Sequence, residues 1–286
     1  LPSYIYSPGG TGFTTSGFQY GRFGYADPNG LTTNIYDYHF TDIANMLWFD
    51  AKYVVGGQKS KPFIAIQAGD EQNTGASQVG KIDAQVFGAQ IGASVTRNVT
   101  VTLGYNDIPR KIDRLAVLPA GITCNAKFQV AAKAGSTMPY ILPSNAPECM
   151  KNPDGSYSVL YGGIASPYTD SYATDPLFST SLTQGMADRR APGDGAKLAA
   201  VYTSNDKRLV VSVSRAFYDY GWLQGEQQTA ETDADAMWYV NRLPKRGPYK
   251  GLLLRYRYGA RTFDNITQYG GAPLFKYNRA QVEYDF

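Results

Sequence analysis

The chain has no run of about 18 consecutive apolar residues, so no transmembrane helix is written into its 286 residues. That absence leaves a membrane barrel open, because a barrel strand shows lipid only at every second residue and its mean hydropathy stays low. Charge is also scarce. Charged residues are 18% and the formal net charge is +3, so no strong basic field for nucleic acid is present. There is one histidine, His39 in "YDYHF", and there are two cysteines. Such a set argues against a zinc site, and a lone histidine reads as packing rather than as a ligand. No G-x-S-x-G, Walker A or dinucleotide fingerprint occurs, and no Ser/His/Asp grouping is apparent. No catalytic residue, metal or cofactor is therefore assigned. A period of 3.6 residues is nowhere strong, which predicts little helix.

What is present is β chemistry. Tyr numbers 23, Phe 13 and Gly 30. Alternation of two residues runs through the chain and predicts strands near 18–26, 31–40, 45–55, 63–69, 82–94, 98–106, 196–203, 208–218, 234–242, 251–262 and 277–286. In "NVTVTLGYN", Val99, Val101, Leu103 and Tyr105 share one face, and Asn98, Thr100, Thr102 and Gly104 share the other. In "GLLLRYRYGARTF", Leu252, Leu254, Tyr256 and Tyr258 oppose Arg255, Arg257 and Arg261. The terminal "YNRAQVEYDF" sets Ala280, Val282, Tyr284 and Phe286 against Arg279, Gln281, Glu283 and Asp285.

The connections sort by length. Segments 263–276, 219–233, 107–195 and 70–81 are long; 243–250, 204–207, 95–97, 56–62 and 27–30 are short, and 41–44 is an exception. Outer-membrane barrels show this asymmetry, with short periplasmic turns and long outer loops. The expected fold is all-β: a transmembrane antiparallel β-barrel with 11 or 12 strands readable, the twelfth being "SYIYS" at Ser3–Ser7. An odd count does not close a single-chain bacterial barrel with both ends inside, so a missing N-terminal portion is the favoured repair. Residues 1–286 are read as one barrel domain, with 107–195 as a long insertion. Cys124 and Cys149, 25 positions apart among Pro, Gly and Asn, are expected to pair as a disulfide in an exposed loop. The alternative is two unrelated thiols.

The sequence resembles the OprD-type outer-membrane porins of Gram-negative bacteria. The likeness lies in "GGIASPYTDSYATDPLFSTSL" (162–182), in "RRAPGDGAKLAAVY" (189–202) and in the final hairpin "KGLLLRYRYGARTF…RAQVEYDF". It covers the C-terminal half well and the earlier strands only in style. The resemblance implies this chain is the C-terminal part of a barrel of about 18 strands. It also implies selective passage of small carboxylate-bearing solutes along a ladder of basic residues, with no enzymatic role. Tyr284 and the terminal Phe286 fit the aromatic assembly signal that barrel-assembly machinery reads.

Strand parity gives the ladder on its own terms. Arg255, Arg257, Arg261 and Arg279 share the wet faces of the last two strands, and Lys197 shares the wet parity of its own. Guanidinium groups two residues apart stand about 7 Å apart along a strand, and each binds a planar anion bidentately. If 263–276 closes a symmetric hairpin, Arg255 opposes Glu283 and Arg257 opposes Gln281. The bland alternative is a polar wall of merely structural Arg–Glu pairs. Arg110, Arg114, Tyr168, Asp170, Asp175, Arg189 and Arg190 are candidates to line a constriction if 107–195 folds inward; an ordinary outer cap is the alternative. Expected partners are anionic or zwitterionic solutes, outer-membrane lipid and lipopolysaccharide, and the assembly machinery, with monomer or trimer left open. Competing readings are an adhesive or partner-binding barrel without selective transport, a barrel enzyme using His39, and a secreted β-sandwich.

Overall fold

The computed structural model describes residues 17–57, 59–75, 82–117, 122–124, 131–133, 148–161, 163–164, 177–182, 192–222, 225–240, 251–263 and 276–285. Its ordered elements are strands in chain order: β1 Phe18–Ala26, β2 Leu31–Phe40, β3 Ala44–Val54, β4 Phe63–Asn73, β5 Asp83–Ser94, β6 Val99–Ile108, β7 Lys111–Leu115, β8 Ile122–Cys124, β9 Ala131–Lys133, β10 Glu148–Lys151, β11 Tyr157–Tyr161, β12 Gly193–Thr203, β13 Leu209–Trp222, β14 Gly225–Tyr239, β15 Gly251–Phe263 and β16 Lys276–Asp285. One 11-stranded sheet runs β1-β2-β3-β4-β5-β6-β12-β13-β14-β15-β16, and each strand is antiparallel to its neighbours. Sequence neighbours pair throughout, except that β6 meets β12 across the long connection. That connection carries its own small sheets, β10-β11-β7 and β8-β9. Among the described residues β1 and β16 are open edges. No helix among them is long and apolar enough to cross a membrane, which says nothing about a barrel.

The register makes the two faces continuous across the sheet. On one face stand Ile66, Ile91, Leu103, Leu198, Val213, Tyr256 and Val282, which are 48%, 54%, 49%, 52%, 51%, 50% and 72% exposed. Large apolar side chains standing outward on strand after strand are the inverse of a water-soluble fold and fit a lipid-facing band. The other face is concave and packs on itself. Met46, Trp48, Val86, Ile108, Ala216 and Tyr218 from the wall close over Ile164 and Leu177 from the long connection. Trp48 therefore points inward, and Gly69 opposite it makes the room, since a Cβ there would lie 2.6 Å from the indole. Trp238 stands on the outer face with Tyr202 and Tyr284. His39 is also outward and shares a hydrogen bond with Asn45.

Two expectations change. Residues 219–222 and 225–233 are strand, not loop: β13 and β14 run on to pair Trp222 with Gly225. The outer residues there are small or polar, such as Gln228 and Ala230, so the apolar stripe that flags a strand stops before the strand does. The contrast in loop length thus rests chiefly on 109–192, with smaller contributions from 74–82 and 264–275. Second, the last hairpin is shifted by two residues from the symmetric guess: Arg255 faces Gln281, and Arg257 faces Arg279. Strands β8 and β10, which carry Cys124 and Cys149, are in contact; the two side chains lie outside the described residues, as does "SYIYS".

The tight turn 27–30 shows how local chemistry sets this register. The Asp27 carboxylate accepts the Asn29 N–H at 2.6 Å, and the Asp27 carbonyl accepts the Gly30 N–H at 3.0 Å. Gly30 has φ of 102°, and a Cβ there would collide with the Val54 carbonyl oxygen. Gly30→Ala should therefore destabilise the barrel by about 1–3 kcal/mol, read as a lower urea midpoint for loss of heat-modifiable migration. An unchanged midpoint would show that the turn tolerates a side chain.

Candidate functional site

The concave face carries two built features. The first is the charged wall of β14, β15 and β16. Alternation places Glu231, Asp233 and Asp235 on the inner face of β14, Arg255, Arg257 and Arg261 on that of β15, and Arg279 on that of β16. Arg261 lies directly opposite Glu231 and its Nε donates to Glu231 Oε2 at 3.0 Å; the Glu231 side chain is fully buried. Arg255 grips Asp235 through Nε at 2.9 and 3.1 Å, with Nη2 making a further contact. Arg257 shares the same carboxylate only at 3.7 Å, and it faces Arg279 across the β15–β16 ladder. Like charges set directly opposite repel. Among the described residues Arg279 has no carboxylate partner, and it is exposed. Arg255 and Arg261 are thus clasped by β14 carboxylates, whereas Arg257 only shares Asp235 from a distance and stands opposite Arg279.

The second feature is the segment 177–182, "LFSTSL", which crosses the inner face of the wall. Four wall strands hold it. The Ser179 N–H donates to Asn106 Oδ1 at 2.9 Å, the Ser181 N–H to the Tyr218 hydroxyl at 2.8 Å, and the Leu182 N–H to Asp233 Oδ2 at 3.1 Å. The Tyr218 hydroxyl in turn donates to the Ser179 carbonyl at 2.6 Å, and Lys197 Nζ donates to the Thr180 carbonyl. Ser179, Thr180 and Ser181 are buried, so an unpaired amide here would be costly, and the wall supplies partners. Two wall glycines let the segment approach. A Cβ on Gly104 would lie 2.8 Å from Phe178, and one on Gly195 would lie 3.0 Å from Ser179 Oγ. The segment narrows the concave side as an inward-folded loop does.

The predicted residues divide accordingly. Arg255, Arg257, Arg261 and Arg279 come together on one patch of wall. Lys197 does not extend that row: it lies on β12, three strands from β15, and holds the segment. Arg110 is exposed between β6 and β7. Arg114 is in the small sheet, where Nη2 pairs with Asp154 at 2.7 Å and Nε donates to Ser156 at 3.1 Å. Hydrogen bonds from the Ser156 hydroxyl and N–H, with help from Arg114, hold the Asp154 carboxyl below its usual range. Lys111 ties this sheet to the rim of the wall through Asp83 at 2.5 Å. Tyr284 stands on the outer face of β16. Tyr168, Asp170, Asp175, Arg189, Arg190 and Phe286 lie outside the described residues.

Sequence reasoning missed Glu231 and Asp233, because the start of their strand read as a loop, and it left Asp235 unassigned although 234–242 read as strand. The signal was available in "TAETDAD", where Thr229, Glu231, Asp233 and Asp235 alternate with Ala230, Thr232 and Ala234. It also missed Asn106 and Tyr218, whose role depends on a partner 73 and 37 residues away.

No family model and no curated protein sequence matches the chain. Solved structures do. OccK5 (OpdH) of Pseudomonas aeruginosa superposes with a TM-score of 0.61 at 13% identity, over 96% of this chain and 59% of that one. OpdK of the same organism, solved with vanillate, gives 0.57 at 12%, over 95% and 57%. OprD gives 0.58 at 14%, over 93% and 59%. The fold is that of the OprD and Occ β-barrels, and the chain spans somewhat over half the length of these structures.

Seating of the segment is open to direct measurement. Asn106→Leu and Tyr218→Phe should each speed hydrogen exchange at the Ser179 and Ser181 amides by about tenfold or more, the scale of one lost buried hydrogen bond. Ladder amides of β6 and β13 should be unchanged. Equal exchange in both variants would show that the segment is held by something other than these two side chains.

Proposed function

We propose that the chain forms part of the wall of an outer-membrane porin of a Gram-negative bacterium, through which small carboxylate-bearing solutes diffuse passively and selectively. The observation that carries this reading is the Arg257–Arg279 pair on the concave face. A carboxylate bridging the two guanidinium groups removes their mutual repulsion and uses the planar fork that each presents. Asp235 and Glu231 serve the other half of the design. They fix Arg255 and Arg261 in place, so the wall keeps a defined shape, and with Asp233 and Glu283 on the same inner face its four arginines are balanced overall. Too much excess would trap the anion, and conduction needs binding weak enough to release. A solute enters at exposed Arg279, is shared with Arg257, and leaves toward the next polar group. The segment 177–182 narrows the passage, excludes bulk water and strengthens the local field.

Two likenesses support the reading without carrying it: the shared fold, and vanillate, itself a carboxylate, named with OpdK. The outward apolar band supports a bilayer setting, in which both open edges must find strand partners.

The variant Arg257→Gln/Arg279→Gln, refolded and placed in planar bilayers, should lower the anion-over-cation permeability ratio by about fivefold. That is the Boltzmann factor of the ~1 kcal/mol gained by one ion pair at about 4 Å in water. Arg255→Gln should act in the same direction by another route, because it frees Asp235 to neutralise Arg257. Assembled channels with unchanged reversal potentials in both variants would remove the arginines from selectivity.

A further inference from the structure

The outer face of the 11-stranded sheet is nearly free of cations. Of its described strand residues only two are Lys or Arg: Arg215 on β13 and Lys276 on β16. They are not scattered. One hydrogen-bonded row runs Arg215, Thr232, Ala260, Lys276 across four adjacent strands. Three strand spacings put the two backbone positions about 14 Å apart, with Thr232 and Ala260 between them.

The Arg215 guanidinium is held in that plane. Nη1 donates to Thr232 Oγ1, Nη2 donates to Thr262 Oγ1 at 3.4 Å, and the group lies 5.3 Å from the Phe217 ring centroid. These neutral partners use part of its five donors and none of its charge. The row also sits at a boundary. Toward the short turn at 204–208, the outer residues of β13 are Val213, Val211 and Leu209. Toward the other end, past Phe217, come Asp219 and, across from it, Gln228. That is the end from which the long connection 109–192 leaves β6 and returns to β12, so it is the outer side of the membrane.

We infer that this row is a docking site for an outer-leaflet lipid whose headgroup carries phosphate groups, with one phosphate at Arg215 and another toward Lys276. A bare arginine at the edge of an apolar band is costly unless it reaches water or an anion. Phosphate accepts the guanidinium fork bidentately, and the acyl chains below would lie on Val213, Ala234 and Tyr258. The inference rests on reading the outer face as lipid-facing, but not on what passes through the lumen.

The test uses the full chain, purified in detergent, and native mass spectrometry with bisphosphorylated lipid A as the probe. Wild type should retain the lipid, and Arg215→Gln/Lys276→Gln should weaken retention about tenfold or more, as expected for the loss of charge-assisted hydrogen bonds. Arg215→Lys should keep much of it. Enzymatically dephosphorylated lipid should bind wild type as poorly as the intact lipid binds the double variant. Inorganic phosphate at millimolar concentration should not displace the lipid, which separates a lipid site from a free-anion site. Equal retention by the heat-modifiable double variant, equal binding of the dephosphorylated lipid, or displacement by phosphate alone would each overturn the proposal while leaving the porin reading intact. A wild type soluble without detergent would instead overturn the lipid-facing assignment that both need.

Discussion

In hydrocarbon a backbone N–H or C=O has no water to turn to, and every other property of this chain is arranged around that fact. Pairing strand to strand satisfies the backbone without helices, and it forces side chains to alternate between two opposite solvents. The outer set has to be apolar and the inner set is free to carry charge. The inner charges of β14, β15 and β16 sit on the same strands as the outward Ala234, Tyr256 and Val282. Neither set can shift by one residue without moving its charges into lipid.

The same constraint explains what was legible in the sequence. Alternation between oily and wet residues located all the strands of the wall, from β1 to β16, and failed where the contrast itself ended. The start of β14 lies above the apolar band, so Ala230 and Thr232 carry no hydrophobic signature. Within the site, parity alone put Arg255, Arg257, Arg261 and Arg279 on one face. Parity cannot say which residue lies opposite which. That depends on register, and moving the last hairpin by two residues exchanged an expected Arg257–Gln281 neighbour for Arg257–Arg279. The contacts of 177–182 were less legible still. They join a connecting segment to side chains on β6, β13 and β14, and no local pattern encodes such distant partners.

The charged wall is economical in its use of counter-charge. Burying Arg261 against Glu231 is not a large source of stability, since both groups lose water on the way in. Its value lies in position. A clasped guanidinium holds its place, while Arg257, only near its carboxylate, keeps donors that the proposed anion path would use. Arg255 and Arg257 differ by two positions and by less than 1 Å in their Nε–Asp235 distances, yet one is clasped and the other is only near. In the proposed pore, selectivity would be set by how unequally carboxylates are shared, rather than by how many arginines the face contains.

Gly104 and Gly195 give the narrowing its measure. They are neighbours of the segment only because they have nothing to put in its way, and Phe178 and Ser179 rest almost on the bare backbone. In the proposed pore, the width of the passage is therefore written partly in side chains that are missing from the wall. Adding even a methyl group at either position would lift the segment toward the axis and tighten the opening. An alteration in the rigid scaffold, far from any charge, would then work like turning a set-screw on the aperture.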